Sequence, residues 1–148
     1  MAAEIKYIIK GDPRTKKNSM DIVSFGKKCP TCGKRQYNKL VQGKANREYS
    51  EAALWQLKPT PPRPIECPVN VKCLFFMKTK RLVDGLNLQA AIDDLLVEAE
   101  ILADDNSRIV VGHDGSRVLY DKDNPRVEIT ITRIPADEQM SLFGGVNK

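Results

Sequence analysis

A helical repeat of apolar residues constrains the fold of this chain more than any other segment. These residues recur every three or four positions, at Leu88, Ala91, Ile92, Leu95, Leu96 and Ala99. The spacing is typical of an amphipathic α-helix with one buried face. At about 100° per residue, Asn87, Asp94 and Glu98 lie along one flank of the buried stripe. Asp93 is predicted to point away from them, toward solvent.

Acidic residues flank this predicted helix at both ends. Asp84 precedes it, and Asp104, Asp105 and Asn106 follow it. Carboxylates held close together repel one another, and their pKa values rise unless a cation compensates the charge. A site of oxygen ligands suits Mg²⁺ or Mn²⁺, so the predicted metal ligands are Asp84, Asp94, Asp104 and Asp105. The alternative is that these residues are only helix caps and solvated side chains.

Two predicted strands lead into basic residues. Val69–Met77 is predicted to be a central strand, because apolar side chains run continuously at its end. Glu4–Lys10 is predicted to be the first strand, and it ends at a Gly-Asp-Pro turn. The cations that follow these strands are predicted to bind nucleic-acid phosphates, and they are Arg14, Lys16, Lys17, Lys78, Lys80 and Arg81. For any single lysine of the loop, a solvated surface position is the alternative.

The remaining segments predict a single domain of the mixed α/β (α+β) class, with helices packed on a mixed β-sheet. Another helix is predicted at residues 45–57, where it ends before a proline run. Strands are predicted at residues 108–112, 118–120 and 127–134, with a hairpin turn at residues 113–116. We place the domain at residues 1–134, with a cysteine-containing insert at about residues 26–44 and a flexible tail at residues 135–148.

The charge distribution favours a polyanionic partner. The net charge is +5, with most of the Lys and Arg in residues 1–81 and a strongly acidic segment between Asp84 and Asp105. A basic half joined to an acidic cluster suits an enzyme that binds nucleic acid and holds a metal. A purely structural DNA-binding protein would have little use for the acidic part. Since no apolar run has the length of a membrane span and no signal peptide is evident, we expect a cytoplasmic protein without a membrane partner.

The cysteines are expected to be thiols or metal ligands rather than disulfides in such a compartment. Cys29 and Cys32 have the spacing of half a zinc-binding site, which normally needs four ligands. Cys67 and Cys73 are spaced differently, and Cys73 is predicted to be a small core residue of the central strand. Two interpretations stay open. Cys29 and Cys32 bind Zn²⁺ that a second copy of the chain helps to coordinate, or they form an exposed reactive loop.

The tail contains two adjacent large apolar residues that have no core to join. Gln139, Leu142 and Phe143 belong to the sequence QMSLF. This short motif is similar to the peptide with which bacterial replication and repair proteins bind the ring-shaped DNA polymerase sliding clamp. We expect the apolar pair to bind a pocket of the partner while Gln139 fixes the register. The alternative is a solvated tail.

The order of strand, basic loop, helix, strand and acidic segment resembles the RusA family of Holliday-junction resolvases. The similarity covers residues 6–134 outside the cysteine-containing insert, and it is most specific in residues 83–110. The resemblance implies a homodimeric α/β nuclease, often carried by phages and prophages, that uses Mg²⁺ to nick four-way junction DNA symmetrically. It also implies that Asp84 and Asp105 are the first and last essential aspartates and that Asn87 is the motif asparagine.

Two positions depart from the motif of that family. Leu86 stands in the place of a second aspartate, and Ala90 stands in the place of a lysine on the first turn of the helix. An active enzyme would then need Asp94 or Asp104 to supplement the catalytic metal site. The alternative function is a junction-binding or DNA-binding protein of the same fold whose catalysis is weakened or lost.

Overall fold

The computed structural model describes residues 4–15 and 20–135, except for the side chains of Met20, Asp21 and Gln42. This part of the chain contains seven β-strands and two α-helices. In chain order they are β1 (Glu4–Lys10), β2 (Met20–Lys28), β3 (Arg35–Gln42), α1 (Lys44–Gln56), β4 (Val69–Met77), α2 (Gly85–Glu98), β5 (Val110–Gly112), β6 (Arg117–Tyr120) and β7 (Arg126–Arg133). The predicted single mixed α+β domain is confirmed. Neither helix in these residues has the length and apolar character needed to cross a membrane.

The main sheet is organised around β4, which the sequence correctly predicts to be a central strand. β7 pairs with β4 in antiparallel orientation, and β1 pairs in the same way with the other edge of β7. On its opposite edge, β4 pairs in parallel with both β5 and β6. A parallel connection needs a crossover, and α2 is the crossover between β4 and β5. The segment of residues 78–84, which contains basic residues and Asp84, therefore begins at the end of the central strand.

The predicted hairpin at residues 113–116 is wrong in its strand pairing. A turn is present, and the Ser116 amide donates to the His113 carbonyl oxygen at 3.1 Å. The flanking strands β5 and β6, however, each pair with β4 instead of with each other. Between them, Ser116 Oγ accepts a hydrogen bond from the Cys73 amide at 2.9 Å. The turn thus supplies a hydrogen-bond acceptor for a backbone amide of β4 that lies between the segments paired with β5 and β6.

The core lies between the helices and one face of the main sheet. Alternate residues of β4 are buried on that face, and they are Val69, Val71, Cys73, Phe75 and Met77. The predicted stripe of α2 joins the same core through Leu88, Ile92 and Leu96. Burial raises the pKa of Cys73 to about 12. The prediction that Cys73 is a small core residue is therefore confirmed.

The cysteine-containing insert forms a separate two-stranded antiparallel sheet, which we call the β2–β3 hairpin. It begins at Met20, earlier than the sequence predicted, and its strands were not predicted. Phe25 stacks on Tyr37 with the ring centroids 5.9 Å apart. Both rings remain partly exposed, so the hairpin stands outside the core.

Leu96→Ala should lower the free energy of unfolding by about 2–5 kcal/mol, because this side chain is fully buried in the core. Leu82→Ala is the matched control, since Leu82 is fully exposed, and its effect should stay within about 0.5 kcal/mol. Urea unfolding followed by circular dichroism measures both values. Equal effects of the two substitutions would contradict the packing of α2 on β4.

Candidate functional site

Asp84 is the N-terminal cap of α2. Its Oδ1 accepts hydrogen bonds from the amides of Leu86 at 3.0 Å and of Asn87 at 3.4 Å. Its Oδ2 accepts from the side-chain amide of Asn87 at 3.0 Å. Asp84 and Asn87, two of the sequence-predicted site residues, are therefore in direct contact. Since an ionised carboxylate has about four lone-pair sites, these bonds leave the exposed Asp84 able to bind a cation as well.

Asp84 stands at a cleft of about 420 Å³ between the start of α2 and the edge strand β6. Its lining comprises Phe75, Asp84, Gly85, Leu86, Gln89, His113, Ser116, Arg117 and Val118. Leu86, in the place of the missing aspartate, is 82% exposed at this cleft. Arg117 was not among the predicted site residues, because its position beside α2 follows from the pairing of β6 with β4.

Asp93 and His113 form a pair that the sequence did not predict. His113 Nε2 and Asp93 Oδ2 are 2.8 Å apart, and Asp93 is only 7% exposed. Gln89, also buried, donates through Nε2 to Asp93 Oδ1 at 3.5 Å and to the sulfur of Cys73 at 3.3 Å. The prediction that Asp93 points to solvent is wrong, because the turn after β5 brings His113 to that flank of α2.

The groups around Asp93 change the pKa of its carboxyl group. Burial is the largest cause, and it raises the pKa of Asp93, while the charge and hydrogen bond of His113 oppose this effect. The negative charge of Asp105 raises the same pKa further. Asp105 therefore lies close enough to interact with Asp93. Through Gln89 and His113, which line the cleft, this group of residues connects to the cleft at Asp84.

Asp104 is bound within its own loop. Its Oδ1 accepts from the Asp105 amide at 2.8 Å, and its Oδ2 accepts from the Asn106 side chain at 2.7 Å. These bonds, with that of Asn106 the largest, hold the pKa of Asp104 below its usual value. Asp105, in contrast, is an exposed neighbour of this turn. Of the two adjacent aspartates, Asp105 is thus the better candidate to bind a ligand.

The predicted metal ligands do not form one cluster within a single chain. Asp84 is the N-terminal cap of α2, and Asp104 and Asp105 lie in the loop that follows this helix. Residues 4–15 and 20–135 contain no group of three or more Asp, Glu, His or Cys side chains placed to hold a metal ion. A single chain therefore supplies only some of the ligands of a metal ion at each of these aspartates. Asp84 is the one that lies at the cleft.

Asp94 is exposed and lies on the flank of α2 that the sequence predicted. It lines a small pocket with Glu98 and Arg14. The buried Asn46 and the partly buried Tyr49 line the same pocket, and Asn46 Nδ2 and Tyr49 Oη have no hydrogen-bond partner among the described residues. Because buried polar atoms are normally hydrogen-bonded, this pocket is a natural position for a water molecule.

Basic residues surround Asp84, as the sequence predicts. Arg14 and Arg81 line a second pocket of about 100 Å³ together with Asp84. Lys80 Nζ lies 4.9 Å from the ring centroid of Tyr120 on β6. The Lys78 amide donates to Asp12 Oδ1 at 2.9 Å, which ties the Gly-Asp-Pro turn to the end of β4. These contacts bring Arg14 and the cations that follow β4 to one end of the sheet.

Other predicted residues lie outside the described part of the chain or away from the cleft. Lys16 and Lys17 of the basic loop fall outside the described residues, as do Gln139, Leu142 and Phe143 of the tail. Cys29 and Cys32 lie in the turn of the β2–β3 hairpin, on a different sheet from the cleft. They contribute nothing to the site at Asp84.

Comparison with models of known protein families and with curated proteins finds no match to this chain. The similarity of residues 83–110 to junction resolvases thus stays a prediction from the motif. The geometry at Asp84 is independent of that resemblance.

The pH dependence of stability tests the burial of Asp93. Because its folded pKa is raised above the ordinary 3.8, the stability linked to this group is fully present below that value. It is lost as the pH rises through the folded pKa. Relative to Asp93→Asn, the wild type should therefore lose free energy of unfolding as the pH rises above 3.8, as measured by urea unfolding.

His113→Ala provides the control for this measurement. It removes the charge and the hydrogen bond that lower the pKa of Asp93, so the loss of stability should move to higher pH. Parallel pH profiles of the wild type and Asp93→Asn would contradict the burial.

Proposed function

We propose that this chain is a metal-dependent, structure-selective endodeoxyribonuclease that cleaves four-way junction DNA by paired symmetric nicks. The observation that carries the proposal is the position of Asp84. This exposed carboxylate lies between two pockets, one lined by Arg14 and Arg81 and the other by His113 and Arg117. An acidic group surrounded by cations suits a metal that binds a phosphate whose other oxygens contact arginines.

The donor set fits Mg²⁺ or Mn²⁺. Mg²⁺ keeps several waters and is usually held by one or two carboxylates together with phosphate oxygens of the substrate. The absence of a three-carboxylate cluster in the described residues is compatible with that mode. Asp84 would hold the ion at the cleft, with Asp105, Asp94 or Asp104 contributing through water. When bound, the ion lowers the pKa of a coordinated water and stabilises negative charge on the phosphate.

The side chains of the chain itself would perform the remaining steps. Arg14 and Arg81, with Lys80, would bind and orient the DNA backbone beside Asp84. His113 is held by Asp93 through Nε2, which leaves Nδ1 to exchange a proton with a ligand in the cleft. Arg117 would contact a second phosphate across the cleft. Asn87 would fix the orientation of the Asp84 carboxylate.

Symmetric cleavage requires two copies of this site. A homodimer with two-fold symmetry would place the sites against opposite strands of the junction. We further propose that the protein acts in the cytoplasm and that Gln139, Leu142 and Phe143 bind the sliding clamp. Tethering to the clamp would raise the local concentration of the enzyme at replicated DNA.

The alternative is a protein of the same fold that binds junctions without cutting them. Leu86 favours it, because an exposed apolar residue occupies the cleft position where a further carboxylate would strengthen metal binding. The two functions differ in their response to Mg²⁺. A binding protein would hold junction DNA equally with and without the ion and would leave both strands intact.

A nicking assay on an end-labelled four-way junction tests the proposal. With Mg²⁺ present, Asp84→Asn and Asp105→Asn should each reduce the nicking rate by at least about 100-fold. Asn is as good an N-cap as Asp, so the helix should persist in Asp84→Asn while the negative charge is lost. Circular dichroism verifies the fold of each variant.

Asp123→Asn serves as the control, since it removes one exposed carboxylate from the turn between β6 and β7. Its nicking rate should match that of the wild type. Undiminished nicking by both Asp84→Asn and Asp105→Asn, or no nicking by the wild type with Mg²⁺ or Mn²⁺, would rule the nuclease out.

A further inference from the structure

The turn of the β2–β3 hairpin folds its backbone around the Cys29 sulfur. The Cys29 amide donates to the Lys34 carbonyl oxygen at 2.7 Å, and the Gly33 amide donates to the Cys29 carbonyl oxygen at 2.9 Å. Gly33 has a φ of +73°, which side chains rarely permit. The amides of Cys32 and Thr31 donate to the Cys29 sulfur, and the Cys32 thiol lies within hydrogen-bonding reach of the same sulfur. The turn therefore holds the two sulfurs close together at the tip of the hairpin.

Two thiolates from one chain are not enough for a structural zinc site, which is tetrahedral with four ligands. The other cysteines do not belong to this hairpin. Cys73 is buried under α2, and Cys67 lies in the proline-rich segment that precedes β4. His113 lines the cleft at Asp84. Within the described residues, no third ligand accompanies Cys29 and Cys32.

The hairpin has two further properties that fit a shared metal. Its tip is basic, with Lys27, Lys28, Lys34 and Arg35, and these charges offset the negative charge of four thiolates around one Zn²⁺. Its body is an isolated two-stranded ribbon, which is at best marginally stable without further support. A metal bound at the tip would provide such support.

We infer that Cys29 and Cys32 of two copies of the chain together bind one Zn²⁺, which joins the two β2–β3 hairpins at their tips. The four thiols release their protons as the metal binds. Ile22 and Leu40 face each other across the hairpin, and their apolar side chains are 72% and 61% exposed. In the dimer, these side chains would lie in the two hairpins that the zinc joins. The zinc site is separate from the cleft at Asp84, so it does not depend on the nuclease proposal.

Zinc stoichiometry tests this inference. The full chain is reduced, saturated with Zn²⁺ and freed of excess metal before elemental analysis and light scattering. We expect about one zinc per two chains, and Co²⁺ in its place should show the visible absorption of a tetrahedral four-thiolate site. Cys29→Ser should lose the metal, whereas Cys67→Ser, the matched control outside the hairpin, should retain it.

Three results would overturn the inference. One zinc per chain would indicate a site completed within the chain. No bound zinc in the reduced protein would remove the site altogether. Retention of zinc in Cys29→Ser would place it elsewhere. None of these results would affect nicking at Asp84, so the two proposals fail independently.

Discussion

The packing of α2 on β4 determines where the candidate functional residues lie. The buried stripe of Leu88, Ile92 and Leu96 fixes the rotation of the helix. That rotation turns Asp94 outward beside Arg14 and turns Asp93 inward to His113. The segment of residues 78–84 joins β4 to this helix, so that Asp84 stands beside the cations that follow the strand. A small rotation of α2 would separate these groups.

Asp84 is a helix cap in the structure and a metal ligand in the proposed function. As a cap, its carboxylate accepts hydrogen bonds from two backbone amides of the first helical turn. As a metal ligand, it would offer the same charge to a cation from the exposed side. The two roles do not compete for the same lone pairs. The alternatives of cap and metal ligand, which the sequence left open, are therefore compatible at this residue.

Local periodicity accounts for what the sequence predicted correctly. The bounds of β1 and β4 and the existence of α1 and α2 follow from spacings of apolar residues within each segment. The contact of Asp84 with Asn87 follows from one helical turn. In the structure, Arg14 and Arg81 meet at Asp84 because the turn after β1 is tied to Lys78. The sequence indicated only that both strands lead into cations.

What the sequence missed depends on contacts between distant segments. The pair of Asp93 and His113 joins residues 20 positions apart, and no local pattern links them. The hairpin predicted from the Asp-Gly turn does not form, because β5 and β6 each pair with β4, which is longer than either of them. The β2–β3 hairpin lacks the regular alternation of a half-buried strand, since both of its faces are exposed.

In the proposed function, Asp84 holds a divalent metal at the cleft. Anomalous scattering from crystals soaked in Mn²⁺ measures the position of that metal directly. We expect a peak within about 2.2 Å of an Asp84 carboxylate oxygen, and we expect it to vanish in Asp84→Asn crystals. A wild-type crystal in which Mn²⁺ binds only at other places, or in which the Asp84→Asn substitution leaves the peak unchanged, would contradict the claim.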